Sequence, residues 1–211
     1  MSPKKQYYKN LADSIIEKLN LRGMEGYYCN EKAEALSMAK QFLTPGCFVS
    51  FGGSVTLAEI GLLDELKKSD YTLYDRTSVN TPEEKSAMYA KIVTSDYYFM
   101  SSNAITLNGE LINIDGYGNR VACLITGPKQ VVIVAGMNKI VTDVESGIAR
   151  VRNMAAPPNT VRLGKKTPCA ELGRCADCLT PDCICCQIVI TRKSIIPNRI
   201  KVILVGEELG Y

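Results

Sequence analysis

The sequence predicts an α/β fold, a mostly parallel twisted sheet flanked by helices. Two observations lead there. Short apolar runs of strand length alternate along the chain with segments of helical periodicity. Runs that are apolar throughout, such as VVIVAG (Val131–Gly136), suit strands buried on both faces, and the intervening helices supply the crossovers that parallel strands require.

In order along the chain, Leu11, Ile15, Leu19 and Leu21 recur at helical spacing over Tyr8–Leu21. Asn30 is placed to cap a second helix carrying Ala33, Leu36, Ala39 and Phe42, which ends before Pro45–Gly46. Residues from about 1 to 45 therefore read as a helical section. Cys47–Phe51 is a buried strand, Gly52–Gly53–Ser54 a turn, and TLAEIGLLDELKK a helix. Strands at Thr72–Asp75, Tyr97–Ser102, Val131–Gly136 and Arg199–Gly206 follow. Between them stand helices at Pro82–Ile92 and Thr142–Ala156, the latter expected to end at Pro157–Pro158. A cysteine-rich loop from about 167 to 187 interrupts the rhythm and reads as an insertion or lid on a single domain spanning 1–211.

Composition narrows the function. With 211 residues and 46% hydrophobic content, the chain can bury a sizeable core. A net charge of +3 without a lysine or arginine run gives no case for nucleic acid. No stretch reaches the ~18 apolar residues of a spanning helix, and the charged N-terminus lacks a signal-peptide core, so the expected setting is cytoplasmic and off the membrane. The odd count of nine cysteines argues against a complete disulfide framework. Histidine is absent, which removes Ser–His–Asp and Cys–His nucleophile activation.

In open α/β sheets, ligands sit beyond the carboxyl ends of the strands. Three loops meet that description. In FGGSVTLAEIG, Gly52 and Gly53 permit close backbone approach, and Ser54, Thr56 and Glu59 open a helix suited to an anion. A tight turn would leave the same pattern. It is neither GxGxxG nor GxxxxGK[ST], so no nucleotide cofactor is predicted. The run SSNAITLNGELINIDGYGNRVA offers Ser102, Asn103, Thr106, Gly116, Asn119 and Arg120 as ligand contacts, with Asp115 and Glu110 as candidates for proton transfer. Asn138 and Lys139 follow the Val131–Gly136 strand, where Lys139 pairs with an acidic ligand or is simply exposed.

Six cysteines fall within the eighteen residues from Cys169 to Cys186. Cys169, Cys175, Cys178 and Cys185, spaced C-x5-C-x2-C-x6-C, are the candidate ligands of a zinc ion or an iron–sulfur cluster. A redox dithiol and a set of free thiols are the other readings. Cys29, Cys47 and Cys123 lie in apolar surroundings and read as core.

The run FGGSVTLAEIG…YYFMSSNAITLNGELINIDGYGNRVA…GPKQVVIVAGMNKIV…IARVRNMAAPPNT…TPCAELGRCADC…RIKVILVGEELGY resembles the LUD-domain family, which includes the lactate-utilisation proteins and in particular their third, cluster-free subunit. The cysteine segment resembles that of stand-alone members, with Cys183 and Cys186 as extras in this chain. The resemblance implies a fold similar to the ribose-phosphate isomerase and CoA-transferase group. It implies an accessory protein that binds a small anionic metabolite, with a cluster-bearing redox partner, and a homo-oligomer is compatible with it. The middle loop is also similar to that of sugar-phosphate isomerases. There Asn103 stands where an acidic residue is expected, and an amide cannot act as a general base. The alternative is an enzyme, either isomerase- or acyl-transferase-like or a redox protein using the cysteines.

Overall fold

A computed structural model describes residues 2–68 and 71–211, so Met1, at the head of the N-terminal section, lies outside the described residues. Its elements run in the order α1 (Pro3–Leu21), β1 (Glu25–Cys29), α2 (Lys32–Gln41), β2 (Phe48–Phe51), α3 (Val55–Glu59), α4 (Leu62–Lys68) and β3 (Thr72–Tyr74). Next come α5 (Pro82–Ile92), β4 (Tyr97–Met100), β5 (Ala104–Thr106), β6 (Leu111–Asp115), α6 (Asn119–Ile125), β7 (Gln130–Gly136) and β8 (Ile140–Val141). The chain closes with α7 (Val144–Arg150), α8 (Ala156–Arg162), α9 (Pro168–Leu172), β9 (Gln187–Thr191) and β10 (Ile200–Val205).

The predicted parallel sheet is present. Six strands in the order β1-β10-β7-β4-β2-β3 pair in parallel throughout. In β7, Val131, Ile133 and Ala135 face one layer, where Ala12, Ile15 and Leu19 of α1 and Cys123 and Leu124 of α6 cover them. Val132 and Val134 face the other, against Ala35 and Ala39 of α2, Leu57 of α3 and Leu62 and Leu66 of α4. Each fully buried Val, Leu or Ile contributes about 1.5–3 kcal/mol, so the two layers together hold the sheet against its helices.

A second sheet, β8-β5-β6-β9, departs from the expected loop. The Gly- and Asn-rich run after β4 folds as an antiparallel β5–β6 hairpin followed by α6. Its turn chemistry lies at Leu107–Glu110, where Gly109 takes φ +82°, and at Asp115–Gly118, where Gly118 also takes φ +82°. Strands of three and five residues are too short to impose a readable alternation. Ala104, Ile112 and Ile114 of this hairpin pack on Val151 and Ala155.

Three further boundaries differ from expectation. The N-terminal section contains β1, a half-buried edge strand whose sequence EGYYC carries little apolar signal. The helix after Ser54 breaks into α3 and α4 at Gly61, which sits at φ +76°. The helix beginning at α7 does not stop at Pro157–Pro158. A π-turn over Val151–Ala155 intervenes and α8 continues to Arg162, with the prolines in its first turn. Proline has no N–H to give, and the i→i+5 spacing of a π-turn moves the preceding carbonyls out of the ring's way. Among the described residues, no helix is long and apolar enough to cross a membrane.

Candidate functional site

The carboxyl ends of β2, β4, β7 and β10 open into a cleft of about 500 Å3. Ser54 and Thr56 come from the β2–α3 turn, Ser101–Asn103 from the end of β4, and Lys139 from the 3-10 turn after β7. Asp115, Gly116, Asn119 and Arg120 come from the β6–α6 junction, and Asn159 and Arg162 from α8. Pro181–Cys186 of the cysteine loop and Gly210–Tyr211 also line it. Five cationic side chains (Arg76, Arg120, Lys139, Arg162 and Lys165) face two carboxylates (Asp115 and Asp182).

Lys139 is buried, at 4% exposure. Its Nζ donates to Thr56 Oγ1 and to Ser101 Oγ, each at 2.9 Å. The third ammonium N–H has no partner among the described residues, and no carboxylate pairs with Nζ there. Burial, with the Arg150 guanidinium next, pushes the lysine down to about 7 against the pull of Glu59. Gly210, at φ +57°, lies beside it. A Cβ there would stand 2.6 Å from Thr56 Oγ1 and 3.4 Å from Lys139 Nζ, so only glycine lets this segment close over the lysine. Glu59 and Asn138 hold the segment in place, accepting the N–H groups of Gly210 (2.7 Å) and Leu209 (3.1 Å).

Arg120 is a frame within the cleft. Its Nη1 donates to Ser101 O (3.2 Å) and Asn113 Oδ1 (2.6 Å), and its Nη2 to Asn103 Oδ1 (3.0 Å) and Ile114 O (2.9 Å). Its Nε pairs with Asp115 Oδ2 at 3.2 Å. All four terminal N–H groups are thus spent on the protein, fixing the β4–β5 and β6–α6 junctions against one another. Asp115 also accepts the Gly118 N–H at 3.0 Å.

Of the residues singled out from sequence, Gly53, Ser54, Thr56, Ser102, Asn103, Asp115, Gly116, Asn119, Arg120 and Lys139 meet in this cleft. Gly52 lies behind Arg120, its N–H bonded to Phe99 O. Thr106 and Glu110 lie elsewhere: they bond one another, and Glu110 pairs with Arg22 just beyond α1. The cleft also holds Arg76, Ser101, Asn159, Arg162, Lys165 and Asp182, which the sequence reading passes over. Ser101 alone carries a local signal, standing next to Ser102 in the SSN run.

The cysteine segment encloses a second, smaller chamber of about 130 Å3. Cys169, Cys175, Cys178, Cys183 and Cys185 line it, with apolar Ile114, Ala156, Leu179 and Ile188. Burial pushes the Cys185 thiol up to about 12, and the surrounding Cys183, Cys169, Cys175 and Cys178 act in the same direction. Cys186 is exposed and faces the larger cleft. All nine cysteines are free thiols. Among the described residues, no three His, Cys, Asp or Glu side chains converge on one ion position. Ile114, Ala156 and Cys183–Cys185 line both spaces and form their common wall.

The LUD-domain family model matches residues 12–205. The chain belongs to the LUD-domain family. A crystal structure of a DUF162 family protein from Deinococcus radiodurans is similar over 94% of this chain and 98% of that one, at 14% identity and a TM-score of 0.55, which shows a shared fold. Weaker likenesses join part of this LUD domain to ribose 5-phosphate isomerase from Plasmodium falciparum (18% identity, 53% of this chain and 52% of that one, TM-score 0.33). They also reach eIF2B delta from Chaetomium thermophilum (18% identity, 52% and 48%, TM-score 0.36). No curated protein matches the sequence.

Proposed function

We propose that this LUD-domain protein binds a small carboxylate- or phosphate-bearing metabolite in the cleft, as an accessory protein of the lactate-utilisation type, with a metal or cluster on its cysteine segment. The observation that carries the reading is Lys139, a buried ammonium with two hydroxyl acceptors, no carboxylate partner and one N–H unspent among the described residues. Burying a cation without a counter-charge is costly, and an anion in the cleft would supply both the missing charge and the missing acceptor. The cationic excess of the lining favours the same class of ligand. Ser54, Ser102 and Asn119 are at hand to orient it. Arg120 contributes by holding Asn103 and Asp115 in place.

The test is calorimetric titration of the full chain with L-lactate, pyruvate and inorganic phosphate near pH 6.5, where Lys139 is mostly charged. At least one probe binds the native chain, and Lys139→Met weakens it by tenfold or more. Equal affinity in the two proteins would remove the reading.

A further inference from the structure

The chamber behind the cleft has the wrong shape for a single ion. A zinc held by four thiolates sits about 2.3 Å from each, which brings the sulfurs to within about 4 Å of one another. No three donors among the described residues converge in that way, although five thiols surround the space. The enclosed volume of about 130 Å3 is roughly four times a water molecule's share of the liquid. An iron–sulfur cluster meets both conditions. In a four-iron cluster each thiolate binds its own iron, so the ligands stand apart around a body of metal and inorganic sulfide.

Three of the sulfurs are also provided with donors. Asp177 N–H reaches Cys175 Sγ at 3.4 Å, the Thr180 hydroxyl reaches Cys178 Sγ at 3.8 Å, and the Thr167 hydroxyl lies 3.2 Å from Cys169 Sγ. Hydrogen bonds to sulfur of this kind stabilise and tune cluster thiolates. The one carboxylate lining the chamber, Asp177, pairs with Arg152. The apolar side chains of Ile114, Ala156 and Ile188 shield the rest.

We infer that this chamber is the seat of an iron–sulfur cluster held by Cys169, Cys175, Cys178 and Cys185, with Cys183 beside it in the wall shared with the cleft. Cys185 is chosen over Cys183 because it packs against the buried cluster of Ala104, Ile112, Ile114, Val151 and Ala155, of which Ile114 lines the chamber. A cluster seated there fixes the Cys183–Cys185 wall, so its presence alters how tightly the cleft holds an anion. That coupling rests on the proposed function; the cluster site does not.

The experiment uses the full chain, purified without oxygen and reconstituted with ferric iron and sulfide, a thiol reductant bringing part of the iron to the ferrous level that a cluster contains. Iron, acid-labile sulfide and zinc are then measured together with the visible spectrum. Iron and sulfide in equal amounts, about four of each per chain, with thiolate-to-iron absorption, are expected. Cys185→Ser loses the cluster while keeping its native far-ultraviolet circular dichroism, and Cys186→Ser keeps it. Stoichiometric zinc without iron, a Cys178–Cys183 disulfide without metal, or a cluster that persists in Cys185→Ser would each overturn the assignment. Titrating inorganic phosphate into loaded and cluster-free chains separates the two ideas. A changed affinity supports the shared wall, and an unchanged one removes the coupling. Absence of binding to either form overturns the cleft reading and, with it, the coupling, and leaves the cluster result standing.

Discussion

Replacing Lys139 with methionine keeps most of the side-chain volume and deletes the buried charge, so its effect on stability depends on pH in a calculable way. The folded chain holds this lysine at about 7, against an ordinary 10.5. Between those values the unfolded chain carries a proton that the folded chain does not, so stability rises with pH across the window. Each tenfold change in proton affinity is worth ~1.4 kcal/mol, so this lysine costs the folded state about 4–5 kcal/mol at pH 6 and about 2 kcal/mol at pH 9. The lost hydrogen bonds to Thr56 and Ser101 add a contribution of the opposite sign that does not vary with pH. Urea unfolding of both proteins at pH 6 and pH 9 therefore shows Lys139→Met gaining about 2–3 kcal/mol relative to the native chain on going to the lower pH. Groups that titrate in both proteins cancel in that comparison. A difference between the two proteins that stays the same at both pH values would show that Lys139 is not held as a desolvated cation, and the anion-binding argument would lose its foundation.

Other perturbations give equally definite results. Arg120→Ala strands Asp115 and the carbonyls of Ser101 and Ile114, and costs about 3–5 kcal/mol in denaturant unfolding. Glu110→Gln weakens the tie to Arg22 by about 1–2 kcal/mol and leaves phosphate titration of the cleft unchanged; a weakened titration would return Glu110 to the site. Gly210→Ala forces a side chain onto Thr56 Oγ1 at an unfavourable φ, lowering stability by about 1–3 kcal/mol and reducing anion affinity in the same titration. L-Lactate keeps its carboxylate ionised above pH 6, so its affinity falls about tenfold for each further step of one in pH beyond 7, as Lys139 loses its proton.

The central strands were legible because β7 and β10 are buried on both faces, leaving runs of apolar side chains broken only by Gln130 and Lys201. Of the edge strands, β3 was read as Thr72–Asp75, but β1 and β9 were not. β1 is half-buried, and β9 has the sequence QIVIT with Ile188 and Ile190 exposed, so neither is bounded by a burial pattern. The cleft was largely readable because a parallel sheet delivers the ends of its strands to one edge, which brings Ser54, Asn103 and Lys139 together without knowledge of any contact. Glu110 fails on the same geometry. It precedes β6 while Asp115 ends it, and five residues at ~3.3 Å each carry the two carboxylates roughly 16 Å apart. Arg76, Asn159 and Arg162 reach the cleft from remote segments, through tertiary packing that no local pattern encodes.

The π-turn at Val151–Ala155 gives the helix from Val144 to Arg162 two facings. Ahead of it, Arg150 donates to Asn103 O and Asn138 O beneath the cleft; after it, Asn159 and Arg162 line the cleft. One residue is worth about 100° of rotation on an α-helix. Deleting a single position from the turn would restore regular winding and swing Asn159 and Arg162 through more than a quarter circle relative to Arg150. The segment therefore tolerates changes of side chain far better than changes of length, and an aligned gap of one residue there marks a relative whose cleft presents different side chains.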